Sequence, residues 1–210
     1  MLNNIRKNFD NEAINWDTDN AKVLMAKAIS GAMINSNRIN INQDVLDFGC
    51  GTGLVTLEIL PFVKSIVGVD SSTGMLERLH EKIVHNNLSN ITCQFVNFEQ
   101  GVPIQGHFDL IISSMTAHHI PSTLDLFKEW FSALRKNGQL CFADLVTEDG
   151  SFHSDNTGVF HHGFNIKDLE NKLEEVGFVD IQSSIATTIK KEVNGGLRQY
   201  PIFLLCAKKE

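Results

Sequence analysis

The sequence predicts an α/β fold, in which helices connect the strands of one sheet. Two observations lead to this prediction: short apolar runs alternate with amphipathic stretches, and the first apolar run passes directly into a glycine-rich turn. The 210 residues are 42% hydrophobic and 20% charged, which suits one domain with a large buried core. We therefore expect a single domain over residues 1–210, with a helical cap in residues 1–40 and the sheet with its loops in residues 41–210.

The elements follow from the hydrophobic pattern. Amphipathic helical patterns lie between the apolar runs, and in the last of them the apolar residues share one face before Gly177 supplies a stop signal. No helical pattern separates the last two apolar runs. Residues 11–33 also have helical spacing, and we expect them to cap the carboxyl edge of the sheet. The predicted strands are 45–48, 66–69, 92–96, 108–113, 139–143, 179–186 and 202–207, and the predicted helices are 55–60, 74–85, 123–134 and 166–176.

The charge balance and the cysteines limit the classes of function. The formal net charge of −7 argues against binding DNA or another nucleic acid over a wide surface. No apolar run reaches the roughly 20 residues of a membrane helix, and no apolar stretch follows the basic pair Arg6 and Lys7, so we expect neither membrane insertion nor secretion. Four scattered cysteines without a C-x-x-C pair favour reduced thiols in the cytoplasm. The sequence does not indicate an oligomeric state.

The strongest chemical signal is the stretch D-F-G-C-G-T-G at residues 47–53. Glycine allows a tight turn and the close approach of a ligand, and the helix that follows offers unpaired N–H groups to polar atoms. Dinucleotide-binding loops have the spacing G-x-G-x-x-G, whereas here Gly53 is the third glycine and Leu54 stands at the next position. The spacing disfavours a dinucleotide cofactor. A glycine-rich turn without a ligand is the alternative.

A carboxylate ends the second apolar run. Asp70 follows residues 66–69, and an acid at that strand end can accept hydrogen bonds from both hydroxyls of a ribose. The alternative role of such an acid is to cap the next helix. Because Ser72 or Thr73 can provide that cap, Asp70 is available for a nucleoside.

These two motifs resemble those of the class I S-adenosylmethionine-dependent methyltransferases. D-F-G-C-G-T-G is similar to the first motif of that family, and V-G-V-D-S-S-T-G-M-L at residues 67–76 is similar to its second-strand motif. The resemblance covers roughly residues 40–210. It implies a Rossmann-like sheet of seven mostly parallel strands with helices on both faces, one antiparallel strand near an edge, a helical N-terminal cap, and S-adenosyl-L-methionine as the cofactor.

The resemblance also implies a cofactor site with five parts, which hold the aminoacyl end, the ribose, the sides of the adenine, the edge of the adenine and the region of the methyl group. For the aminoacyl end it implies Asp47, Gly49, Cys50, Gly51 and Gly53, and for the ribose Asp70. For the sides of the adenine it implies Ser71 and Met75, and for its edge Asn97 and Phe98. Ser113 is implied for the region of the methyl group. Trp16 is either a lid residue over the cofactor or an ordinary core aromatic.

Five of the eight histidines fall between positions 118 and 162, in the loops expected after the fourth and fifth strands. Three interpretations stay open: loop packing, a general base that titrates near neutral pH, or a metal site built with nearby acids. The resemblance favours His118, then His119, as the catalytic group. We expect no metal, because the spacing matches no metal motif; the side chains that could hold one are His153, His161 and His162.

The residues after the fourth strand limit the substrate. They read S-S-M-T at 113–116, whereas methyltransferases of this fold that modify exocyclic amines of bases carry Asn/Asp-Pro-Pro-aromatic there. We therefore expect methyl transfer to an O, N or S atom of a small molecule, and acids and histidines in the substrate loops favour a neutral or cationic acceptor. The alternatives are a protein or RNA methyltransferase that needs a partner, and a non-enzymatic or metal-dependent S-adenosylmethionine-binding protein.

Overall fold

The computed structural model describes residues 7–97 and 100–210, and it contains one seven-stranded sheet. The strand order is β3-β2-β1-β4-β5-β7-β6. β7 runs antiparallel to both of its neighbours, and the other pairs are parallel. The strands are β1 (Asp44–Phe48), β2 (Ser65–Asp70), β3 (Ile91–Phe95), β4 (Phe108–Ser114), β5 (Leu134–Leu145), β6 (Phe178–Val193) and β7 (Gly196–Lys209). The predicted fold class is confirmed.

Helices cover both faces of the sheet. They are α1 (Asn20–Ile34), α2 (Leu54–Ile59), α3 (Thr73–His85), α4 (Thr123–Ala133) and α5 (Ile166–Val176). Along β1, Val45 packs into the core on the side of α1, α2 and α3, whereas Leu46 packs into the core on the side of α4 and α5. This alternation is the period of two that a strand buried on both faces produces.

The last two strands form a longer hairpin than the sequence predicted. Asn194 and Gly195 join them, and both residues have positive φ angles, 51° and 77°. That backbone is typical of a tight two-residue hairpin turn. The prediction ended at residue 186 because the strand beyond it is polar, and a polar edge strand carries no apolar signal. β5 likewise begins at Leu134, ahead of the predicted residue 139.

The N-terminal helical pattern is divided into two pieces. A 3₁₀ helix spans Ala13–Thr18, and α1 begins at Asn20. Asp19 breaks the helix: it has extended backbone, and its side chain accepts hydrogen bonds from the N–H groups of Ala21 and Lys22. α1 packs beside α2 on a face of the sheet, and its first turns, at Ala21, Lys22, Met25 and Ala26, also reach the carboxyl edge that the prediction assigned to residues 11–33.

Within the described residues, no helix combines the length and the apolar character that crossing a membrane requires.

Candidate functional site at the carboxyl edge of the sheet

A cavity of about 550 Å³ opens where β1, β2 and β4 end. Its walls come from the glycine loop after β1, the residues after β2, the turn after β4, the 3₁₀ helix Ala13–Thr18 and the loop between β5 and α5. Carboxyl ends of neighbouring parallel strands meet at one edge, which is where open α/β sheets bind ligands. Eight of the predicted cofactor residues line this cavity: Trp16, Gly49, Cys50, Gly51, Asp70, Ser71, Met75 and Asn97.

The glycine loop is tied to β2 and keeps one position open toward the cavity. The N–H groups of Gly49 and Cys50 both donate to the Val69 carbonyl, at 2.8 and 3.0 Å. Gly51 has a φ of 55°, and among the described residues the nearest atom to a Cβ built there is Met75 Sδ, at 3.9 Å. A side chain at position 51 would therefore enter the space that a ligand needs.

Asp70 lies on the cavity wall and holds the loop at the same time. Its Oδ2 accepts from Gly51 N and its Oδ1 accepts from Ser72 N, both at 2.9 Å. Burial raises the pKa of this carboxyl, although the backbone hydrogen bonds oppose the shift. Ser72 caps α3 by accepting a hydrogen bond from Met75 N, so the helix cap does not use Asp70. The remaining lone pairs of the carboxylate are available to a hydroxyl donor.

Three of the predicted cofactor residues lie behind the wall. Asp47 is buried, and its Oδ2 accepts from Thr56 Oγ1 at 2.6 Å. Burial raises the pKa of Asp47 to about 7, and the nearby charge of Asp70 adds to this rise. A Cβ at Gly53 would lie 2.5 Å from Leu79, and Ser113 donates to the Phe48 carbonyl at 2.8 Å.

Asp47, Gly53 and Ser113 thus support the loop and strand ends instead of lining the cavity. The predicted contact of Phe98 with the adenine lies outside the described residues.

Three histidines meet on the substrate side of the cavity. The ring centroids of His118 and His119 are 4.2 Å apart, those of His118 and His153 are 4.9 Å apart, and those of His119 and His153 are 6.0 Å apart. His118 is 1% exposed, and its Nδ1 lies 2.7 Å from Oδ1 of the fully buried Asp144. His119 Nδ1 lies 2.8 Å from the Gly158 carbonyl oxygen.

Two of these imidazoles are held neutral. Burial, together with the neighbouring His118, lowers the pKa of His119 to about 4 and that of His153 to about 3. At neutral pH these two rings are therefore uncharged.

The predicted metal ligands do not come together. His161 Nε2 lies 2.9 Å from the Ile120 carbonyl oxygen, and the exposed His162 lies 3.7 Å from Glu148, whereas His153 faces the cavity. No group of three histidine, cysteine or acidic side chains in residues 7–97 and 100–210 is arranged to hold a metal ion. His161 and His162 instead contact neighbouring residues of the turn and the loop.

Sequence reasoning missed a clamp between the N-terminal segment and the glycine loop. Asp17 accepts from Thr52 Oγ1 and pairs with Lys82 Nζ, both at 2.6 Å. Asp10 accepts from Ser72 Oγ at 2.6 Å and from Gly74 N at 2.8 Å. Asp17 lies in a stretch whose spacing indicated only a helix, and Asp10 lies just before it. No local pattern reveals partners that lie more than 30 residues away.

The chain matches known methyltransferases over much of its length. Residues 45–138 match the family described as methyltransferase domain. An uncharacterised methyltransferase from Schizosaccharomyces pombe is 32% identical over 135 residues, which are 58% of this chain and 48% of that protein. A malonyl-acyl-carrier protein O-methyltransferase from Priestia megaterium is 32% identical over 144 residues, which are 66% of this chain and 50% of that protein. The chain therefore spans about half the length of these curated relatives.

A solved structure with a bound cofactor shares the fold. It is phosphoethanolamine N-methyltransferase 2 from Haemonchus contortus in complex with S-adenosyl-L-methionine, with a TM-score of 0.72, 17% identity, and coverage of 95% of this chain and 57% of that chain. Residues 45–138 therefore match a methyltransferase domain, and the fold of the chain is the one found in a methyltransferase that binds S-adenosyl-L-methionine. These findings agree with the predicted family, enzyme class and cofactor.

Proposed function

We propose that this protein transfers a methyl group from S-adenosylmethionine to a small-molecule acceptor. One observation carries the proposal: a single cavity joins the glycine loop and Asp70 to the cluster of His118, His119 and His153. The glycine loop and Asp70 suit a nucleoside with an amino-acid tail, and the imidazoles of the same cavity suit a second, smaller molecule.

The residues present fit the cofactor. Gly51 leaves room beside the loop, Asp70 offers a carboxylate to a ribose diol, and Asn97 and Met75 line the wall beyond it. We assign the aminoacyl end to the glycine loop, with Asp47 beneath it, and the methyl-bearing end to the side of the cavity nearer the histidines. S-adenosylmethionine supplies an electrophilic methyl group on a sulfonium sulfur. The protein's own contribution is alignment of the acceptor with that methyl group and exclusion of water.

A small, uncharged acceptor suits the charges on the wall. Lys7 pairs with Glu12 at 2.9 Å, and Lys22 pairs with Asp19 at 3.6 Å, so these cations are largely compensated. The apolar part of the wall includes the rings of Phe9, Trp16 and Phe152. The relatives named above act, by their names, on malonyl-acyl-carrier protein and phosphoethanolamine, so an acceptor carried by a protein is the second candidate.

Methyl transfer is tested by incubating the purified protein with labelled S-adenosylmethionine and a panel of phenols, thiols and amines, and measuring S-adenosylhomocysteine. We expect turnover with at least one member. His118→Ala should lower kcat by about 10²-fold or more while leaving the Kd for S-adenosylhomocysteine within about twofold. An unchanged kcat would exclude His118 as the base.

The role of Asp70 is tested by binding. Asp70→Asn keeps the size of the side chain but removes its charge, and we expect the Kd for S-adenosylhomocysteine to rise by about 10- to 100-fold, because charge-assisted hydrogen bonds to the ribose are lost. Isothermal titration calorimetry measures this directly. Asp125→Asn, at an exposed position on α4, is the matched control and should bind like the wild type. Equal affinity in Asp70→Asn would refute the assignment.

We keep a cytoplasmic setting as part of this proposal, since all four cysteines are free thiols. We also propose that residues 41–210 act as the catalytic unit and residues 1–40 as its cap.

A further inference from the structure

We propose that Asp144 is a positioning residue that holds the ring proton of His118 on Nδ1, so that Nε2 acts as a general base, and that the methyl acceptor is a hydroxyl group on an aromatic body. This inference rests on the proposed methyltransferase function and adds to it the state of the base and the class of the acceptor.

The carboxylate of Asp144 is fully used by the backbone and the ring around it. It lies near the end of β5 and is 0% exposed. Oδ1 lies 2.7 Å from His118 Nδ1 and accepts from Leu145 N at 2.7 Å, and Oδ2 accepts from His118 N at 3.2 Å. Burial opposes the ionisation of Asp144, but its hydrogen bonds with the ring and backbone of His118 and with Leu145 N keep its pKa below the usual value. Asp144 is therefore ionised at neutral pH.

An ionised carboxylate cannot donate a hydrogen bond, so the proton between the two groups belongs to His118 Nδ1. In the neutral imidazole, Nε2 then carries the lone pair. Nε2 is buried and has no hydrogen-bond partner among residues 7–97 and 100–210, although His118 lies on the cavity wall. A buried polar atom without a partner costs free energy, and an acceptor hydroxyl would supply the missing donor.

The surroundings of His118 favour a neutral aromatic acceptor. The titratable groups nearest to it are Asp144 from β5, His119 from the same turn and His153 from the loop after β5, and both of these other imidazoles are uncharged. Phe9 packs edge-on against His119 with centroids 5.1 Å apart, and Phe152 packs edge-on against His153 at 4.9 Å. Apolar rings therefore frame the imidazoles that face the cavity.

The chemical step balances without an added reagent. The hydroxyl proton passes to His118 Nε2, an oxygen lone pair forms the O–CH3 bond, and the C–S bond breaks with its electron pair going to sulfur. Asp144 stabilises the imidazolium that results, and His118 returns the proton to water when the products leave. An acceptor without a removable proton, such as a tertiary amine, makes no use of this pair.

The positioning role is tested by nitrogen NMR on the full chain with bound S-adenosylhomocysteine. In histidine labelled with ¹⁵N, the two ring nitrogens report which one carries the proton, and His118→Gln identifies the signals. We expect protonated Nδ1 and unprotonated Nε2 in the wild type at neutral pH. We expect a mixture of the two tautomers in Asp144→Ala, which has no oxygen to accept the proton of Nδ1. Asp125→Ala is the matched control and should not change the spectrum.

The acceptor class is tested with the same variants and two probes of similar size, 4-nitrothiophenol, which is ionised at neutral pH, and phenol, which is not. With phenol we expect kcat to fall by about 10²-fold or more in Asp144→Ala, and with the ionised thiol by less than about fivefold, because the thiolate needs no base. Equal losses with both probes, or a wild-type His118 with its proton on Nε2, would overturn the proposal. If the tautomers are as predicted but neither probe is methylated, the aromatic hydroxyl is overturned as the acceptor. If, in addition, no member of the wider panel reacts, the proposed function itself is overturned.

Discussion

At the scale of single residues, two positions of the loop require glycine for different reasons. At Gly49, which has a φ of 73°, a Cβ would collide with the side chain of Thr116, whereas at Gly51 it would meet open space in the cavity. We expect Gly49→Ala to lower the free energy of unfolding by more than about 2 kcal/mol, since left-handed backbone and a steric clash add. Gly51→Ala should cost about 1 kcal/mol in stability but weaken S-adenosylhomocysteine binding at least about tenfold.

Urea unfolding and calorimetric titration of both glycine variants separate these effects. Gly101→Ala provides the control for backbone strain alone, because its φ is 80° and nothing described lies within 4 Å of its Cβ. Wild-type affinity in Gly51→Ala would show that the cofactor does not approach this part of the loop.

Asp47 makes stability depend on pH. Burial raises its pKa in the folded protein to about 7, above the value of about 4 expected in the unfolded chain. The folded state therefore binds more protons between pH 4 and 7. This contribution to stability is fully present below about pH 4 and is lost as the pH rises toward 7 and above. We expect Asp47→Asn, which stays neutral, to match the wild type near pH 4 and to exceed it by at most about 4 kcal/mol at pH 8.

The measurement for Asp47 is the difference in urea-unfolding free energy between the two proteins from pH 4 to 8, without cofactor. A difference that stays constant over this range would mean that Asp47 does not titrate in it. Because Thr56 Oγ1 can still donate to an asparagine oxygen, loss of that hydrogen bond does not complicate the comparison.

At the scale of elements, the N-terminal segment is held to the glycine loop by charged groups. Asp17 contacts Thr52 and Lys82, and Lys82 Nζ also donates to the Thr52 carbonyl at 2.6 Å. We expect Asp17→Ala to release this contact, to raise hydrogen exchange in residues 13–18 and 49–53, and to weaken S-adenosylhomocysteine binding severalfold, since a charged hydrogen bond contributes about 1.5–3 kcal/mol.

The neighbouring acid provides the contrast for this experiment. Asp19 caps α1, and among the described residues its hydrogen bonds go to α1 and not to the glycine loop, so Asp19→Ala should raise exchange at the start of α1 and leave residues 49–53 protected. Identical exchange patterns in the two variants would argue against a specific clamp by Asp17.

The elements also show how far local patterns reach. Amphipathic α5 was predicted at its observed bounds, because the apolar spacing and the Gly177 stop agree, and in the structure Asn165 caps its first turn. The break at Asp19 was missed because the apolar spacing continues through it. The polar ends of β6 and β7 were missed because the prediction relied on apolar runs. Backbone pairing between the two strands holds these ends in place, and that pairing leaves no apolar pattern in the sequence.

At the scale of the whole molecule, cofactor binding should stabilise the fold as a unit. A ligand that binds only the folded state at 100 times its Kd adds about 2.7 kcal/mol to the free energy of unfolding. We expect S-adenosylhomocysteine to raise the midpoint of thermal unfolding, and NAD at the same concentration to leave it unchanged, because the glycine spacing does not suit a dinucleotide. Differential scanning calorimetry makes the comparison, and stabilisation by NAD alone would contradict the assignment.

The sequence by itself determined the α/β fold, the strand order along the chain, the glycine loop and the acid at the end of β2, because each depends on periodicity or on a short contiguous motif. Only the tertiary structure decided which side chains meet. It placed Asp144 against His118 across 26 residues, brought His153 beside them and sent His161 and His162 elsewhere. Such contacts depend on the order and register of strands that are distant in the chain, and those are settled by packing of the whole sheet.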